Sequence, residues 1–141
     1  MLSIYPACFF HEKNDSYSVV FPDLNWLATQ GDTLQEAMEM AVDCLAGYLY
    51  NCQMDGEDIP KPSKLSDIHT EVIAKELESP IYESFVNMVA VDVASYAKEH
   101  FEKSVKKTLT IPAWLNTAAL EQNINFSQVL QDALKRKLNI R

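Results

Sequence analysis

Residues 105–112 read Val-Lys-Lys-Thr-Leu-Thr-Ile-Pro, and the pattern they open decides the architecture of the chain's last third. The stretch alternates as an extended strand does: Lys107, Leu109 and Ile111 fall on one face, and Lys106, Thr108 and Thr110 on the other. Pro112 ends the strand and pre-sets the first turn of a helix. Trp114, Leu115, Ala118, Ala119 and Gln122 line one side of that helix, and Asn123-Ile124-Asn125 turns the chain. Asn125 is placed to cap a second helix, with Gln128 three residues on to complete a capping box. Val129, Leu130, Ala133, Leu134 and Leu138 are its apolar stripe, and Lys135, Arg136 and Lys137 suit the negative end of its dipole.

A strand and two helices in fewer than about 40 residues cannot enclose a sufficient core. A single strand also leaves its ladder unpaired. Both problems disappear when two copies pair their strands antiparallel and interlock their helices, which is a ribbon-helix-helix dimer. The face carrying Lys106, Thr108 and Thr110 is then presented twice about a two-fold axis, on a ribbon that fits the DNA major groove. Lysine donates to guanine O6 and N7, and threonine hydroxyls meet most base edges. The amides near Asn125, Phe126 and Ser127, at the start of the second helix, offer a phosphate an anchoring point. The alternative is the same hairpin docked on the rest of the chain with its Lys and Thr merely solvated. That leaves unexplained why basic charge gathers there.

The gathering is pronounced. Residues 103–141 hold seven basic residues against Glu121 and Asp132, a net +5. Residues 1–102 hold five basic against eighteen acidic, a net −13, within an overall −8. A basic end can meet phosphate, and an acidic body attracts a basic partner. With 141 residues, 48% of them hydrophobic and only 3 Gly, the chain suits one ordinary domain plus a small satellite. No apolar run reaches membrane-spanning length and the first residues lack the pattern of a signal peptide, so a cytoplasmic protein with no membrane partner is expected. Cys8, Cys44 and Cys52 have no paired spacing and read as small buried apolar residues. His11, His69 and His100 lie in separate segments, so neither a zinc site nor another cofactor is expected.

Upstream, residues 1–11 read as a strand, with Leu2, Ile4, Cys8 and Phe10 on one face and Tyr5, Ala7 and Phe9 on the other, so that both faces need cover. A polar turn at residues 12–15 joins it to a second strand at 16–21, and Trp26–Gln30 reads as a third. Thr33-Leu34-Gln35-Glu36 is a capping box, followed by Leu34, Ala37, Met38, Ala41, Val42, Leu45, Tyr48 and Leu49 at helical spacing as far as about Asn51. Residues 64–79 have weak helical character around Ile68–Leu77, stopped by Pro80. Phe85–Val93 reads as a strand buried centrally in, or returning to, the same sheet, and Ser95–Glu102 as a short helical connector.

Five of these segments carry a resemblance. The order Tyr17–Phe21, Pro22-Asp23-Leu24, Gly31-Asp32-Thr33-Leu34-Gln35-Glu36-Ala37 and Ile59-Pro60-Lys61-Pro62, closed by residues 106–112, resembles HicB antitoxins of type II toxin–antitoxin systems in their ribbon-helix-helix form. The resemblance spans nearly the whole chain. It implies an α+β fold: a partial ribonuclease-H-like antiparallel sheet with a packed helix over residues 1–100, and a ribbon-helix-helix module for dimerisation and DNA binding over 104–141. It implies binding to HicA, a small basic ribonuclease toxin, and repression of its own operon through operator DNA. The split of charge agrees with both partners.

Ribonuclease H chemistry requires clustered carboxylates holding two metal ions. Asp15 and Asp23 fall in turns, Asp43 points off the helix's apolar stripe, and only Asp92 falls on a strand, so the four read as surface groups and no enzyme is expected. A stand-alone ribbon-helix-helix regulator, with an N-terminal domain for another protein or a small ligand, would use the same C-terminal residues. The exposed sheet edge leaves room for assembly beyond a homodimer.

Overall fold

The computed structural model describes residues 1–77, 80–102 and 104–140. The chain divides into two compact units, Met1–Lys103 and Ser104–Arg141.

The first unit is built on the strands β1 (Ser3–Glu12), β2 (Tyr17–Phe21), β3 (Leu27–Gly31) and β4 (Ile81–Val91), in the all-antiparallel order β3-β2-β1-β4. β1 is central, and from Tyr5 to Phe10 every residue is buried. Tyr5, Ala7 and Phe9 join Val19 and Phe21 of β2 in the main core, beneath α1 (Leu34–Asp55). Cys8, Phe10 and Val20 face the other way and are covered by Ile73 of the short helix α2 (Thr70–Ala74), with Ile68 and Leu77 beside it. The strand is therefore roofed on both faces, as its unbroken apolar run required.

α1 shows why a capping box works and where this one departs from the standard form. Thr33 accepts from the Glu36 amide at 3.1 Å, but the Glu36 carboxylate reaches back to the amide of Asp32, at 3.1 Å, rather than to that of Thr33. The helix runs past Asn51 to Asp55 because Gly56, at φ +68°, supplies the left-handed residue that closes it. Its buried side is Ala37, Ala41, Leu45, Ala46, Leu49 and Cys52, whereas Leu34 is exposed.

Other expectations needed correction. The third strand begins at Leu27 because Asn25 and Trp26 both take positive φ, a turn and not a strand. The later strand spans Ile81–Val91, and it returns to pair with β1 as an edge strand, half-exposed along much of its length, and is neither central nor fully buried. Asp92 is not on it: Asp92 caps α3 (Val93–His100), accepting from the Ser95 amide at 3.1 Å. α3 is more than a polar connector, since Val93 and Ala97 are buried and Tyr96 and Phe101 pack on the main core. The weak helical signal at 64–79 resolves into a 3-10 turn at Leu65–Asp67 followed by α2, and Glu78 and Ser79 lie outside the described residues.

The second unit holds α4 (Ala113–Glu121) and α5 (Phe126–Lys137). Pro112 sits at the N-cap of α4, one place before the first turn. Residues 104–112, expected as a strand, form no ladder with any of the described residues.

β3 enters α1 through a close backbone approach at Gly31. A Cβ at Gly31 would stand 2.4 Å from the Ala37 nitrogen, where only backbone could move aside. Gly31→Ala should therefore cost about 1–3 kcal/mol, as overpacking does. A lowered denaturant midpoint would show it, and an unchanged one would mean that the strand and helix separate freely there.

Candidate functional sites

The first candidate is the second unit, where every described residue is exposed except Ala119, Leu130 and Ala133, which are half-buried. Leu109, Ile111, Trp114, Leu115, Phe126, Val129, Leu134 and Leu138 are all more than 40% exposed, so the apolar stripes read from the sequence are present but uncovered in one chain. Lys107, Leu109 and Ile111 line a cavity of about 490 Å³ together with Phe126, Ser127, Val129 and Leu130 of α5. Lys106, Thr108 and Thr110 are exposed and are not part of that lining, so the two faces of the stretch are kept apart.

At the start of α5, Asn125 accepts from the Gln128 amide at 3.0 Å. The Gln128 side chain does not reciprocate, because it donates to Asp132 at 3.0 Å, so the expected box is only half made. The amides of Phe126 and Ser127 remain the ones an anion could meet at this end. At the other end Lys135, Arg136 and Lys137 occupy the last turn, and Asn139, at φ +56°, closes the helix with the Ile140 amide donating to the Lys135 carbonyl at 2.8 Å.

The second candidate is the set of carboxylates in the first unit. The fold sends them to different places and gives each a structural partner. Asp15 meets His11 Nε2 at 3.2 Å in the β1–β2 turn. Asp23 takes both the amide and the hydroxyl of Ser63, which fastens the loop after α1 to the turn after β2. The Tyr5 hydroxyl holds the same loop through the Pro60 carbonyl. Asp43 is half-buried and not a free surface group: it accepts from the Tyr96 hydroxyl at 2.8 Å and ties α1 to α3. The Ser95 amide holds the Asp92 carboxyl below the usual carboxylate range. Among the described residues no three His, Cys, Asp or Glu side chains gather as a metal site. Cys8 and Cys52 are buried, and burial pushes the Cys8 thiol up to about 11, away from nucleophilic chemistry. Among the described residues no helix is long and apolar enough to cross a membrane.

The loop anchors were not visible in the sequence. Ser63 and Pro60 carry no signal that their partners lie 40 and 55 residues earlier. The one available hint was the pair of prolines at 60 and 62, which stiffens a segment otherwise rich in turn residues.

Comparison with known proteins gives this arrangement its setting. Residues 5–132 match the family described as HicB_like antitoxin of bacterial toxin–antitoxin system. An uncharacterised 14.9 kDa protein of Haemophilus phage HP1 is 31% identical over 113 residues, covering 79% of this chain and 75% of that protein. Antitoxin HicB 1 of Photorhabdus laumondii is 37% identical over 68 residues, 48% of this chain and 44% of its own length. In three dimensions, a chain from a toxin–antitoxin complex of Streptococcus pneumoniae matches with a TM-score of 0.63 at 32% identity, over 97% of this chain and 99% of that one.

The Asp43–Tyr96 link makes a pH-dependent prediction. Burial first, and then the neighbouring Asp43 carboxylate, push the Tyr96 phenol from 10.0 up to about 12. The fold favours the protonated phenol, so its contribution is complete below pH 10 and is lost as the pH rises towards about 12. Tyr96→Phe should cost about 1 kcal/mol at neutral pH. The gap between the wild type and the variant should close across that alkaline window. A gap that stays constant in denaturation curves from pH 8 upward would mean that the hydroxyl contributes through packing alone.

Proposed function

Because the chain belongs to the HicB_like antitoxin family, we propose that it neutralises a HicA-type ribonuclease toxin through its first unit and represses its own operon through its second. The observation that carries this reading is the match to that family over residues 5–132, with the likeness to a chain of a toxin–antitoxin complex over nearly the full length of both.

The division of labour follows the charge. The first unit carries the acidic excess and suits a basic, RNA-binding toxin, whose phosphate-binding groups its carboxylates would engage. The meander β1–β3 running directly into α1 serves as the partial ribonuclease-H-like core, and Asp23 and Asp43 are engaged in holding the fold and not gathered for catalysis, so the proposed action is binding.

The second unit acts as a ribbon-helix-helix dimer. Its apolar residues are uncovered in one chain, and a second copy of residues 105–111 supplies both the missing ladder and the missing core. Lys107, Leu109 and Ile111 already turn towards α5, which leaves Lys106, Thr108 and Thr110 for the major groove. The Phe126 and Ser127 amides, beside the Asn125 cap, take a backbone phosphate and fix the register.

Co-expression of this chain with a HicA-type toxin from the same source should restore growth that the toxin alone arrests, and undiminished toxicity in the presence of this chain would refute the antitoxin role. For the second unit, Lys106→Ala and Thr110→Ala should each weaken operator binding in a gel shift by about 1–3 kcal/mol while the dimer stays folded. Wild-type affinity should fall steeply with salt. Unchanged binding by both variants would move the reading face elsewhere.

A further inference from the structure

The first unit has a feature that neither the fold nor the operator-binding reading uses. β3 is a terminal strand of the sheet, paired among the described residues only with β2, through Phe21↔Leu27 to Tyr17↔Gly31. A cavity of about 540 Å³ runs along it, lined by Ala28, Thr29, Gln30 and Gly31 of the strand itself. One wall is Ser18, Val20 and Leu77, from the side of the sheet opposite α1, and the other is Asp32, Glu36 and Met40, at and beyond the start of α1. A cavity lined from both sides of a terminal strand is a trough along that strand's free edge. An unpaired edge presents a row of amides and carbonyls that another chain can pair with. Most proteins blunt such an edge, whereas this one sets it between two walls with apolar footholds, Val20 and Leu77 on one side and Met40 on the other.

We propose that this trough receives an extended, basic segment of the toxin, which adds to the sheet as a fifth strand beside β3. The proposal deepens the antitoxin reading and rests on it. Addition of a strand draws affinity from main-chain hydrogen bonds and selectivity from side chains on alternate positions. Here the selective element is the pair of carboxylates at the Gly31 end, Asp32 and Glu36, which would meet lysine or arginine on the incoming strand. Glu36 spends one oxygen on the Asp32 amide at 3.1 Å and the Asp32 side chain is exposed, so both retain acceptor capacity for a cation. A second copy of the first unit has the wrong sign for this position, since each copy carries the acidic excess. The short strand suits a short insert: five residues of β3 fix the usable ladder at about that length.

Amide hydrogen exchange on the full chain, alone and saturated with a HicA-type toxin from the same source, tests this directly. In the free chain alternate amides of residues 27–31 should be protected by β2 while the intervening ones exchange quickly. In the complex the intervening set should slow by at least about tenfold. Asp32→Lys, which leaves the Thr33 cap in place, should bind the toxin at least about tenfold more weakly at low salt, with a melting curve like that of the wild type. Fast exchange of the intervening amides in the saturated complex, or unchanged affinity of Asp32→Lys, would overturn the proposal. A wild-type chain that does not bind the toxin at all would instead overturn the antitoxin reading beneath it.

Discussion

The first unit depends on one constraint: consecutive residues of β1, Phe9 and Phe10, are both fully buried although they point to opposite faces of the sheet. Burying each ring is worth roughly 1.5–3 kcal/mol, so neither face can be left to solvent. That requires a layer on each side and places β1 in the interior of the sheet. α1 provides one layer, and its small residues Ala37, Ala41 and Ala46 let it lie close over Phe9, Val19 and Phe21. The other layer is much thinner, with Ile73 and its neighbours enclosing Cys8, Phe10 and Val20. The distance from β3 to α1 is set at Gly31, where the strand meets the helix backbone.

Around this sandwich the polar groups act as fasteners. Asp23 and Tyr5 hold the loop after α1, and Asp43 holds α3 against α1. Each of these pairs joins segments far apart in the chain, so each offsets the entropy of closing a long loop. Such a use also explains why a fold with several aspartates need not gather them: a carboxylate that accepts two hydrogen bonds from Ser63 is committed to its position.

Much of this was legible, and what was not has physical causes. The hairpin, α1 and both C-terminal helices follow from local signals: period-two alternation, the Thr33 cap, and the Asn123–Asn125 turn. The edge position of β4 was not legible, because a run such as Phe-Val-Asn-Met-Val-Ala-Val reads alike whether one or both of its sides are paired. Asp92 was misplaced for a related reason: the strand signal continues through Val93, and only the backbone turn at Asp92 shows that Val93 already belongs to a helix. Both capping boxes were recognised by spacing, yet the reciprocal half went to Asp32 in one and was lost to Asp132 in the other. Spacing identifies a donor and an acceptor within reach, and competition with neighbours decides which of them pair. The trough beside β3 had no sequence signal at all, since Val20, Met40 and Leu77 come together only when three segments fold.

The second unit obeys a different rule from the first. With no fully buried side chain among its described residues, it has almost no core of its own, and a helical hairpin of this length gains little from its caps alone. Whatever covers Leu109, Ile111, Trp114 and Leu134 therefore supplies most of its stability, and on the proposed reading the cover is a second copy. Folding and association of the unit are then one equilibrium, so its stability depends on protomer concentration. The same condition would serve the proposed regulation, because an operator-binding surface that forms only in a dimer responds more steeply to protein concentration than a surface built from one chain. The charge split suits that proposed division: the +5 end is drawn to phosphate and the −13 body is repelled by it. On the proposed reading a single chain carries a unit with a core of its own, suited to a basic protein, and a unit completed by a second copy, suited to DNA.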